Sequence, residues 1–141
     1  MPNNALSFSY PGKVEPAEVI NSAARAEFDL REIPLPGAIL AGDNLEVMRG
    51  LLDNGHAGAF DLVYIDPPYS TGQTFHLDDT RANAVSQSKG DRLAYSDTLS
   101  GFQFLEFIRQ RAILLRELLS SHGSFYLHID YKVGHYVKVI L

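Results

Sequence analysis

The sequence predicts an α/β domain built around a parallel sheet, and three observations carry that prediction. Leu62-Val63-Tyr64-Ile65 is a nearly continuous apolar run, as in a strand buried on both faces. A strand–turn–helix unit over residues 38–54 leads straight into it. A capped helix opening at Ser100 is followed by a further apolar run over 124–129. Strands alternating with helices make the βαβ rhythm of a parallel sheet.

Taken in order, residues 1–15 read as irregular, punctuated by Asn3-Asn4 and Pro11-Gly12. Residues 16–26 read as a helix, with proline in its first turn and Val19, Ile20, Ala23 and Ala24 on one face. Pro34, Pro36 and Gly37 break what precedes a short buried strand over 38–41. The helix after it carries Leu45, Met48, Leu51 and Leu52 at helical spacing. It is opened by a capping-box-like Asp43…Glu46 pair and stopped by Asn54-Gly55. The central strand ends in Asp66-Pro67-Pro68-Tyr69, because proline lacks the N–H a ladder needs. Residues 70–99 are polar and poor in periodicity, and read as a long loop, either mobile or closing over a ligand.

Ser100 and Gln103 fit a capping box. Phe104, Leu105, Ile108, Ala112, Leu115 and Leu119 form the apolar stripe behind it, Arg109, Arg111 and Arg116 a solvated face, and His122-Gly123 the stop. The third strand ends at Asp130, which suits the cap of an amphipathic segment over 131–141 bearing Val133, Tyr136, Val137 and Ile140.

Composition bounds the partners. A chain of 141 residues is one domain at most. Cysteine is absent, so disulfides and thiolate metal sites are excluded, and the five histidines lack metal-ligand spacing; no metal is expected. No apolar run reaches membrane-spanning length and the N-terminus lacks signal-peptide character, so the expected location is cytoplasmic. A net charge of −5 argues against strong nonspecific nucleic-acid binding by this chain alone.

Three strands each deliver an aspartate at the carboxyl end, Asp43, Asp66 and Asp130, and in an open α/β sheet that rim is where ligands bind. Asp66 suits one chemistry in particular. The exocyclic amine of a nucleobase is a weak nucleophile because its lone pair is delocalised. A carboxylate accepting one N–H and a main-chain carbonyl accepting the other turn that lone pair outward, and the carboxylate stabilises the positive charge the nitrogen gains on methylation. Proline fixes where the carbonyl points. Tyr69 offers a stacking face worth about 1–3 kcal/mol per base, against the few kcal/mol that flipping a base requires. Asp-Pro-Pro-Tyr also reads more plainly as a strand-ending turn, and Asp43 and Asp130 as helix caps.

Gly42-Asp43-Asn44-Leu45, the string from Asp61 to Gly72, Tyr95-Ser96-Asp97 and the stretch from Gly123 to Asp130 together resemble the amino-group DNA methyltransferases, in particular the modification subunits of bacterial restriction systems. The resemblance covers residue 38 to the end; Ser70 stands where that family commonly has asparagine. It implies a partial Rossmann-like fold, an incomplete parallel sheet with flanking helices. It implies S-adenosylmethionine as cofactor, Asp66, Pro67, Pro68 and Tyr69 as the catalytic motif, and Asp43, Asp66 and Pro67 bordering the cofactor. Adenine N6 is the implied target, double-stranded DNA the substrate, and a restriction subunit a possible partner. Cytosine N4, an RNA or protein-amide methyltransferase, and a non-catalytic complementing half stand as alternatives.

The family's cofactor loop, F-x-G-x-G, is absent: no G-x-G occurs in the chain. The expectation is therefore a fragment, with an extension over 1–37 and the N-terminal part of a catalytic domain over 38–141. By the family's topology the strands bearing Asp43 and Asp66 are not neighbours. The sheet is then expected to hold an unpaired gap or a substitute pairing, and to expose apolar surface.

Overall fold

In a computed structural model, residues 8–24, 26, 37–67 and 101–141 are described in full, and 74–77, 85–86 and 92–96 by their backbone. The element order is α1 (Pro16–Asn21), α2 (Asn44–Asp53), β1 (Phe60–Ile65), β2 (Thr74–Leu77), β3 (Val85–Ser86), β4 (Arg92–Ser96), α3 (Gly101–Leu118), β5 (Leu119–Leu127) and α4 (Tyr131–Ile140).

The architecture is mixed helix and strand, with β1 and β5 forming a two-stranded parallel sheet. Four consecutive partners, Leu62↔Ser124 to Ile65↔Leu127, set its register, and the His128 N–H extends it by donating to the Ile65 carbonyl at 3.0 Å. The expected strand over 38–41 does not form: no ladder among the described residues includes it, and Ile39 is 97% exposed. A strand exists only by pairing, and among the described residues no segment pairs with 38–41. β1 is also not buried on both faces. Leu62 and Tyr64 are more than half exposed, as is Tyr126 beside Tyr64 on β5, while Phe60 and Leu127 turn inward onto the helices. Within the expected loop, β2 pairs antiparallel with both β3 and β4. The short alternations Thr-Phe-His-Leu and Arg-Leu-Ala-Tyr-Ser carry that period-2 signal, diluted by the polar residues between them. Ser100 and its cap lie outside the described residues.

Helix α3 is the spine. Its C-terminal half packs Leu114 and Leu118 against Val19, Val47, Met48 and Leu51 from α1 and α2. Its N-terminal half packs Phe104, Leu105 and Ile108 against Val137 from α4. α2 starts and stops as its sequence requires. Asp43 accepts the Leu45 N–H at 2.8 Å. Gly55, at φ 83°, donates to the Leu52 carbonyl and His56 to that of Leu51, a Schellman ending. α1 stops at Asn21, short of residue 26. The Ser22 hydroxyl accepts the Ala24 N–H, a local bond that competes with helix, and buried Arg49 donates to the carbonyls of Val19 (2.9 Å) and Ala24 (3.2 Å). α3 ends at Leu118 rather than at Gly123, because Leu119 already pairs with Phe60. Residues 120–123 of β5 stand opposite Asp61 alone on β1, tied down by Ser120 Oγ donating to Asp61 (2.6 Å). As expected, Asp130 caps α4, accepting from the Lys132 N–H.

The solvated arginine face is the largest departure. Arg116 is exposed, but Arg109 and Arg111 are buried. Residues 8–15 lie over α3, and buried Tyr10 donates its hydroxyl to Glu106 at 2.5 Å. Glu106 also accepts from Val14 N–H, Gln110 and Arg109, and Arg109 donates to the Val14 carbonyl at 2.7 Å. This closed network is what makes a buried charge tolerable. Burial raises the Glu106 carboxyl's pKa, but its hydrogen bonds to Tyr10, Gln110 and Val14 and the Arg109 charge outweigh that, so the net shift is downward. Burial foremost, with the hydrogen bond and charge of Glu106, pushes the Tyr10 phenol up to about 12.

Two outcomes follow for stability. Because the folded Glu106 pKa lies below its unfolded value of about 4.3, its contribution is present above that pH and fades as pH falls through the lowered value. Tyr10→Phe should remove about 1.5–3 kcal/mol at neutral pH, the range for a hydrogen bond to a charged group, and should flatten this acid dependence in urea titrations run across the pH range. At Gly123 an added Cβ meets Leu119 Cγ at 2.7 Å and the Phe60 carbonyl oxygen at 3.0 Å. The leucine can rotate away but the backbone cannot, so Gly123→Ala should cost about 1–3 kcal/mol, read as a lowered urea midpoint.

Candidate active site

Asp66 follows the last residue of β1, and the proline after it holds its backbone extended. On the neighbouring strand His128 occupies the equivalent place just beyond the end of β5. The ladder bond between Ile65 and His128 sets the two side by side, and His128 Nδ1 lies 3.1 Å from Asp66 Oδ1. Both side chains are about half exposed.

A cavity of about 450 Å³ opens beside this pair, lined by Asp66 and Pro67, by Tyr64 and Ile65 of β1, by Asn44 and Met48 of α2, and by Phe107, Ile108, Arg111 and Leu115 of α3. Its volume and its mainly apolar walls with a few converging polar groups are those of a small-molecule site. A second cavity, of about 330 Å³ between α3, β5 and the end of α4, is lined by no acidic residue.

Arg111 joins the two sides of the larger cavity. Its Nε donates to Asn44 Oδ1 at 2.8 Å, its Nη1 to the Phe107 carbonyl at 3.0 Å, and its Nη2 lies 3.7 Å from Asp43. The guanidinium stacks on the Phe107 ring, 3.5 Å from its centroid. Burial lowers the Arg111 pKa, with the Asp43 charge opposing and the Arg49 charge adding to that shift. The turn carrying Asp43 and Asn44 is thus pinned to α3, which forms the wall shared with Asp66.

Of the residues singled out in the sequence, Asp66, Pro67 and the 43–44 turn come together around one cavity. Asp43 itself caps α2 and faces Arg111, with Asn44 rather than Asp43 lining the space. Asp130 goes to its cap. Pro68 and Tyr69 lie outside the described residues. His128 carried no expected role in the site, and Arg111, expected on a solvated face, is buried. The available signals were the position of His128 at a strand end aligned with that of Asp66, and the Phe107–Arg111 spacing of one helical turn, which stacks a guanidinium on a ring. Among the described residues no group of three or more His, Asp or Glu is placed to hold a metal ion, and no helix is long and apolar enough to cross a membrane.

Residues 60–141, more than half of the chain, match the DNA methylase family of N6 and N4 enzymes, and the chain belongs to that family. It is similar to the type II methyltransferase M.EcaI of Enterobacter cloacae, 29% identical over 96% of this chain and 29% of that protein. It is also similar to the Mod subunits of two type III restriction-modification enzymes. These are EcoP15I of Escherichia coli, 30% identical over 72% of this chain and 18% of that protein, and EcoPI of Escherichia phage P1, 32% identical over 65% and 16%. The chain thus spans less than a third of the length of these relatives. No solved structure gives a significant match.

Arg111→Lys tests the pin. Lysine keeps the charge but loses the planar fork and the ring stack. Loss of the Asn44 bond should cost about 1.5–3 kcal/mol, with Arg111→Ala at least as costly in denaturant titrations.

Proposed function

We propose that this chain carries the amine-activating half of a DNA methyltransferase of the restriction-modification type, acting in the whole protein on the N6 amine of an adenine flipped out of the duplex. Residues 38–141 are the N-terminal part of its catalytic domain. The observation that carries the reading is Asp66: a carboxylate at the carboxyl end of a parallel strand, on the rim of a small-molecule cavity, in a chain of the N6/N4 DNA methylase family.

The residues present fit S-adenosylmethionine. The apolar walls from Tyr64, Phe107 and Leu115 suit a flat heterocycle, Asn44 offers polar atoms to it, and the carboxylate of Asp66 has the sign that favours a nearby cation. Bound S-adenosylmethionine supplies an electrophilic methyl group. The chain's own part is to prepare the nucleophile. Asp66 accepts one N–H of the exocyclic amine and the Pro67 main-chain carbonyl accepts the other, which moves the nitrogen toward tetrahedral geometry. The negative carboxylate then stabilises the positive charge that grows on that nitrogen, an interaction stronger in the transition state than in the ground state. Pro68 stiffens the turn and the Tyr69 ring stacks on the base. Asp43 acts at one remove, by capping α2 and so placing Asn44 at the cavity wall.

In the whole protein Asp66→Ala should lower methyl incorporation into DNA by at least the 10²–10³-fold typical of removing one transition-state-stabilising group, roughly stated, while S-adenosylmethionine affinity measured by calorimetry changes little. Mass spectrometry of the product nucleosides should find N6-methyladenine; N4-methylcytosine would move the target, and turnover near wild type in Asp66→Ala would remove the assignment.

A further inference from the structure

We infer that His128 is a positioning residue for methyl transfer: its Nδ1–H holds the Asp66 carboxylate in the orientation that receives the substrate amine. This rests on the proposed role of Asp66 and adds a second strand to the site.

Three observations support it. The side chains meet directly, His128 Nδ1 to Asp66 Oδ1 at 3.1 Å, and the backbone N–H of His128 is tied to the carbonyl of Ile65, the residue before Asp66, at 3.0 Å. The position is set by the β1–β5 register and not by a mobile side chain reaching across, since His128 follows directly on the Ile65↔Leu127 pair. The partner is a carboxylate, which when ionised only accepts, so the ring nitrogen facing it carries the hydrogen.

An aspartate side chain has a broad, roughly two-fold torsion about its carboxyl group. An acceptor aimed at one N–H of an amine gains from having that torsion narrowed, because the reaction depends on the direction of the nitrogen lone pair. The ring N–H of His128 supplies that constraint from the neighbouring strand. Among the described residues, Asp66 faces the ring, Asp130 and Lys132 follow in the chain at the start of α4, and Arg111 of α3 lines the cavity with Asp66.

The test uses the full-length protein and single-turnover methylation of DNA, with S-adenosylmethionine affinity measured by calorimetry for each variant. His128→Phe, which keeps a ring and loses the donor, should lower the single-turnover rate by about 10- to 100-fold, the scale of a misaligned reacting group, with cofactor affinity and the KM for DNA close to wild type. His128→Asn, whose amide nitrogen stands near the place of Nδ1, should recover most of that loss. The double variant Asp66→Ala/His128→Phe should be no slower than Asp66→Ala. Equal losses in His128→Phe and His128→Asn, or a loss that appears as weakened DNA or cofactor binding, would overturn the inference in favour of a structural role. A dead Asp66→Ala with a fully active His128→Phe would overturn the inference about His128 alone. An active Asp66→Ala would take the underlying catalytic reading down with it.

Discussion

The parallel pairing of β1 with β5 is the constraint on which the rest depends. Side chains alternate along a strand, so a slip of one residue would send Ile65 and Leu127 to the open face and carry His128 away from Asp66. Four consecutive ladder partners and the terminal bond from His128 to Ile65 hold the register. The mismatch between residues 120–123 and Asp61 is accommodated upstream, at Gly123, where a side chain would collide with the Phe60 backbone. The irregular part of β5 therefore lies at the end of the sheet away from the carboxylate.

Helix α3 converts that pairing into a site. It joins the two apolar clusters, accepts residues 8–15 through Glu106 and Arg109, and grips the 43–44 turn through Arg111. Each buried charge is met by several hydrogen bonds, the condition under which ionised groups are tolerated away from water. The same arrangement removes Arg49, Arg109 and Arg111 from any phosphate-binding surface. In a chain of net charge −5, three of the twelve cationic side chains are thus committed to the interior. The uncovered face bearing Leu62, Tyr64 and Tyr126 fits the incomplete sheet that the sequence led one to expect.

The local rules were legible to the extent that they act locally. The α2 boundaries, the Asp130 cap and the strand ending at Asp66-Pro67 follow from capping, glycine at positive φ and the missing proline N–H, each decided within a few residues. The early end of α1, the early end of α3 and the absence of a strand at 38–41 were not legible. They turn on Arg49 reaching across to the Val19 carbonyl, on Leu119 pairing with Phe60, and on the lack of a pairing partner for 38–41 among the described residues. Arg109 was read as solvated because its helical position is polar, and what buries it is a segment nearly a hundred residues away in the chain.

By itself the sequence determined the chemistry on offer: a carboxylate stiffened by the proline after it at the end of an apolar strand, and capped helices around a parallel arrangement. Those depend on backbone sterics and on groups a few residues apart. Only the tertiary structure decided which residues share the cavity with Asp66, that Arg111 holds the opposite wall and that His128 faces the carboxylate. Strand register and helix docking are set by pairings between distant segments, and nothing in the identity of a lone histidine or arginine encodes its partner across the sheet.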